Sequence, residues 1–122
     1  MTIALDPHTG SDRWWVYDYF EGTLQIDQER YPACAQLRDW MHEMGFEQVY
    51  TREVMHLPGN VLAAEALARG TVTPSHTSQL AVLTRAEYEA GVERIRAAIR
   101  NYAALRLYSD LRVYATYATA PY

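Results

Sequence analysis

The chain has a single cysteine, Cys34, among its 122 residues. It therefore has no internal disulfide, and no second thiol completes a metal knuckle. Cys34 reads as a small apolar residue on a helix face. Glycine is also scarce. The six glycines stand at 10, 22, 45, 59, 70 and 91, and no two have G-x-G spacing. A backbone that cradles phosphate needs glycine at close range, so a P-loop and a dinucleotide fingerprint are excluded. His8, His42, His56 and His76 fall in no H-x-x-H or H-E-x-x-H frame, so no metal site is expected. There is no G-x-S-x-G nucleophile elbow. No run approaches the ~18 apolar residues of a membrane span. Met1 to Gly10 lacks the basic start and apolar stretch of a signal peptide, which predicts a cytoplasmic protein. With 11 Lys+Arg against 15 Asp+Glu, the net charge is −4 and no clustered basic surface for nucleic acid is expected.

What is present suits one folded domain. Half of the chain (49%) is hydrophobic and only 21% is charged, enough apolar material for a core and too little charge for disorder. Ten Tyr and three Trp stand against two Phe, and rings with polar tips suit interfaces and half-wet pockets. Five aromatics crowd into Trp14, Trp15, Tyr17, Tyr19 and Phe20. They either close the core of a small domain or form a pocket wall or interface.

Along the chain, residues 1–13 read as a flexible leader, with turn chemistry at Asp6-Pro7 and Thr9-Gly10-Ser11-Asp12. Residues 14–31 read as a loop with a short strand or helical turn. A helix is predicted over 32–44, with Pro32 in its first turn and Gly45 as its left-handed stop. A strand follows from Glu47 to Leu57, ended by Pro58-Gly59. An Ala-rich helix spans 61–69 with Asn60 as N-cap, and Ser78–Leu83 makes a further helical turn. Thr84 and Glu87 form a T-x-x-E capping box for a long helix, about 85–103. Tyr88, Val92, Ile95, Ile99 and Tyr102 make its apolar stripe. The last element is a strand near 110–119. The expected class is α+β: a small sheet of two or three strands with a terminal antiparallel strand, packed by three or four helices. So small a sheet leaves ladder edges exposed, unless residues 14–26 add a strand or another chain covers the edge.

The order of residues resembles the late part of class I S-adenosylmethionine-dependent methyltransferases. The likeness rests on Trp15, on Tyr19-Phe20-Glu21-Gly22-Thr23-Leu24-Gln25-Ile26-Asp27 leading to Tyr31-Pro32, and on the helix ending Met44-Gly45-Phe46. It continues through Ser78-Gln79-Leu80 to Ile95 and closes on Asp110-Leu111-Arg112-Val113-Tyr114-Ala115-Thr116. It covers about residues 14–119, a single methyltransferase C-terminal-like domain from 14 to 122. The departure is Glu21, where the family has proline. The resemblance implies the closing units of a doubly wound α/β sheet, with a helical insertion between its final two strands. The family's glycine-rich cofactor loop lies in its other half, so no catalytic, cofactor-binding or metal-binding residue carries over, and the chain alone is expected to hold no cofactor. What carries over is the substrate-side wall: Trp14, Trp15, Tyr19, His56 and His76 are the candidate pocket residues. His56 closes a strand, and His76 sits among Ser75, Thr77 and Ser78.

Three functions fit. The first is a truncated methyltransferase-like module, inactive alone, that binds or assembles as a homodimer through a sheet edge or the aromatic surface. The second is the substrate half of a methyltransferase completed in trans by a cofactor-binding subunit, where S-adenosylmethionine would enter. The third is a small-ligand binding domain lined by the Tyr/Trp set.

Overall fold

The computed structural model describes residues 1–75 and 77–119. It is a mixed helix-and-sheet fold, as expected, with four strands rather than two or three. In chain order the elements are β1 (Thr2–Leu5), β2 (Arg13–Trp14), α1 (Trp15–Tyr19), α2 (Thr23–Arg30), α3 (Cys34–Glu43), β3 (Val49–Leu62), α4 (Ala63–Ala68), α5 (Ser78–Ala81), α6 (Arg85–Asn101) and β4 (Arg106–Ala118).

Strand β4 is the axis of the sheet. Strand β3 runs antiparallel along one edge, from Val49 opposite Ala118 to Leu62 opposite Arg106, with a bulge between Glu53 and Met55. Strands β1 and β2 share the other edge, opposite 113–116 and 109–110 respectively. In the gap between them the Asp12 carboxylate accepts the Arg112 N–H at 3.1 Å, a side chain standing in for a missing strand. Residues 1–13 are therefore not a loose leader: their first strand and Asp12 satisfy backbone groups that β4 would otherwise leave open. Residues 14–31, expected as a loop with a short strand or helical turn, form the end of β2 and two helices, α1 and α2.

The strand expected to stop at Pro58 continues to Leu62. The Ala63 N–H bonds Leu105 C=O at 2.9 Å. Alternation back from that pair points the backbone of His56, Pro58 and Asn60 away from β4. Proline at position 58 thus removes no ladder bond, and Gly59 leaves room for the Ser109 hydroxyl, which a β-carbon would meet at 2.2 Å. Asn60 lies in this strand and accepts from Arg106 instead of capping α4, which starts at Ala63 with no side-chain cap. Gly45 has φ +99°, the left-handed stop expected after α3.

The core gathers at the Arg106 end of the ribbon. Val16, Phe20, Ala63, Ala66, Leu80, Ile95 and Leu107 are buried together, beneath α1, α4 and α6. Val92 and Ile95 of the apolar stripe are buried, and Tyr88 and Ile99 flank them. Tyr102 ends the helix 63% exposed. At the other end α3 covers the opposite face: Arg38 bonds Thr51, and Thr51 lies 3.2 Å from Thr116. Leu107 and Thr116 are nine positions apart and so face opposite sides. Asp6 accepts the Cys34 N–H at 3.0 Å and so caps α3 from a distance.

The capping box of α6 is complete, with Glu87 N–H on the Thr84 hydroxyl and Thr84 N–H on the Glu87 carboxylate. Thr84→Ala is expected to lower stability by about 1 kcal/mol. The measurement is the urea midpoint at an unchanged slope.

Candidate functional site

The loop of residues 6–12 leaves the carboxyl end of β1 and turns into β2. Here a cavity of about 350 Å³ lies against Pro7, His8, Asp12, Trp14, Tyr17 and Asp18. That volume falls at the lower end of the usual range for small-molecule sites, roughly 300–1,000 Å³. Trp14 and Tyr17 meet edge to face, with centroids 5.2 Å apart and planes 78° apart.

Two acids shape the site. Burial raises the Asp12 carboxyl above the ordinary carboxylate range, partly offset by the bond from Arg112. One Asp12 oxygen, Oδ2, is buried without a hydrogen-bond partner. Behind the Tyr17 ring lies Asp27, fully buried, accepting from the Tyr17 hydroxyl at 2.6 Å and from Gln79 Nε2 at 3.2 Å. Burial first, then Asp27, push the Tyr17 phenol well above its usual value. A phenolate here would be a second anion beside a carboxylate in a dry setting.

The expected site residues do not converge. Trp14 lines the cavity. Trp15 is 7% exposed and belongs to the core, and Tyr19 packs on that core while its carbonyl accepts from Arg94. Most of the aromatic cluster therefore closes the core, which leaves little of it as an interaction surface. His56 sits on the β3–β4 ribbon, paired with Asp110, whose carboxyl that bond holds below its usual range. His76 lies outside the described residues. Tyr17, expected only as one of the aromatic set, lines the cavity, whereas the spacing of Asp12, Asp27 and Gln79 gives no sign of a site. The i,i+4 spacing of Asp27 from Thr23 signals only burial, since it places both on the buried face of α2.

The second feature is a bare sheet face. On the side opposite α3 stand Ile3, Tyr50, Met55 and Tyr117, with Val54 at the bulge. Ile3 is 60% exposed, Met55 53%, Val54 49% and Tyr50 46%. Tyr50 and Tyr117 pack together at 5.7 Å. Thr119 N–H bonds Gln48 C=O at 3.2 Å. By alternation the backbone groups of Val49, Thr51 and Glu53 point off the sheet edge. No group of three His, Cys, Asp or Glu side chains among the described residues is placed to hold a metal. No protein-family model, curated protein or solved structure matches the chain.

Proposed function

We propose that this chain is a methyltransferase-like C-terminal module that works by binding and assembly, pairing with a second copy along β3, and that it has no S-adenosylmethionine site of its own. The observation that carries this reading is the bare apolar face beside the open edge of β3. An exposed edge next to an apolar face is a template for strand pairing. A two-fold axis at Thr51 joins the edge over Val49–Glu53, clear of the bulge and of Pro58. It sets Tyr50 opposite Arg52 of the second copy, a ring and a cation on one face. A symmetric contact of this kind closes on itself as a dimer. The helices between β3 and β4, and the antiparallel pairing of those strands, agree with the resemblance to the closing half of the methyltransferase fold.

Sedimentation equilibrium tests the pairing. The chain is expected to dimerise at micromolar concentration, and Tyr50→Glu with Met55→Glu, both at exposed positions, is expected to give a folded monomer. A wild-type chain that stays monomeric at tenfold higher concentration refutes the pairing. Tight binding of S-adenosylmethionine to the isolated chain refutes the absence of a cofactor site.

A second reading has its own observation. Strand β1 ends the sheet on the other side, with Ile3 at its outer edge. A cofactor-binding subunit adding its strands there would complete a methyltransferase in trans. In that case S-adenosylmethionine binds the mixture of the two subunits and neither one alone.

A further inference from the structure

The cavity at the end of β1 selects for charge as well as size. Several of its side-chain donors are spent inside the protein. His8 Nε2–H holds the Tyr31 carbonyl at 2.7 Å, Gln28 holds the Pro7 carbonyl at 3.3 Å, and the Tyr17 hydroxyl is given to Asp27. Arg13, which also lines the cavity, gives only its Nη1 to the Gly10 and Asp12 carbonyls, at 2.9 and 3.2 Å. What remains is aromatic surface, the Trp14 indole N–H and the charges of the lining, where the two carboxylates of Asp12 and Asp18 outnumber the single guanidinium of Arg13. Asp18 is exposed and enters none of the ion pairs among the described residues, while Asp12 carries the unpartnered oxygen behind the wall. The rings of Trp14 and Tyr17 stand nearly at right angles, two walls of a corner. Pro7 and Leu24 add apolar lining.

A corner of aromatic faces with nearby carboxylates attracts an organic cation, because the ring quadrupole presents negative charge on its face. An anion would meet Asp12 and Asp18, and a neutral apolar guest would gain nothing from either. We propose that this cavity binds an alkylated ammonium group, carried by a free small molecule or by a methylated lysine side chain. This inference is independent of the dimer, since the cavity lies off the bare sheet face.

Isothermal titration with choline and with its neutral isostere 3,3-dimethylbutan-1-ol tests the charge preference. Choline is expected to bind roughly tenfold or more tightly than the isostere, the effect of a desolvated cation–ring contact. Asp18→Asn changes an exposed side chain on α1 and is expected to weaken choline several-fold while leaving the far-ultraviolet circular dichroism unchanged. Trp14→Leu is expected to remove the preference for choline. A trimethyllysine peptide that outbinds choline assigns the cation to a protein side chain, and the reverse order assigns it to a small molecule. Equal binding of choline and its isostere, or no heat from choline or the peptide at tens of millimolar, overturns the proposal.

Discussion

Replacing Gly91 with alanine is expected to destabilise the protein even though alanine is the better helix former. A β-carbon at position 91 would lie 2.1 Å from Phe20 Cδ1 and 2.3 Å from Cε1. That ring is fully buried, stacked on Tyr88 at 6.1 Å and edge-on to Trp15 at 6.4 Å, so it has nowhere to move. The helix gains about 1 kcal/mol from alanine in place of glycine. Overpacking a closed core costs up to about 3 kcal/mol or more, so the net loss is expected near 2 kcal/mol. Urea denaturation measures it. The Phe20→Leu background supplies the control. There the smaller side chain admits the new methyl, and the cost of Gly91→Ala should shrink well below its value alone, a non-additivity expected only of residues in contact. A Gly91→Ala protein as stable as the wild type would show that α6 does not press on Phe20.

Tyr17→Phe is expected to cost about 1.5–3 kcal/mol at neutral pH, because it removes a hydrogen bond to a carboxylate and leaves Asp27 with Gln79 alone. The same contact sets the alkaline limit of stability. The Tyr17 phenol is raised above its ordinary value by burial first and by Asp27 second. The folded protein thus keeps a proton that the unfolded chain releases near pH 10. Below that pH the contribution of Tyr17 is fully present, and above it stability falls as the pH rises. Denaturation curves between pH 8 and pH 11 should therefore fall more steeply for the wild type than for Tyr17→Phe. Parallel alkaline limbs would show that the phenol does not set this limit.

These residues divide by how far away their partners lie in the chain. The capping box of Thr84 and Glu87, the stripe through Val92 and Ile95, and the left-handed Gly45 are all made by residues within a few turns of each other, and all were legible. Thr2–Leu5 was not: its strand exists because β4 supplies partners more than a hundred positions later. Pro58 looked like a terminator, yet it is harmless on an outward-facing edge position, and only the pairing of β3 reveals which way its missing N–H would point. Within the site, Trp14 was legible as part of an aromatic cluster. Asp12 and Asp27 were not, because a carboxylate in a loop or a short helix looks the same in sequence whether it is solvated or buried against Arg112 or Tyr17.

The sequence by itself determined an α+β chain with a strong C-terminal helix, a final strand, and no motif for phosphate or metal. These are local and compositional properties, written in spacing and residue type. The tertiary structure alone decided that most of the aromatic cluster turns inward, that the loop after β1 encloses a cavity with acids and two rings, and that one face of the sheet is left bare. Each of those depends on which strand pairs with β4 and on which side of it, and the hydrogen-bond ladder settles that choice only when distant segments meet.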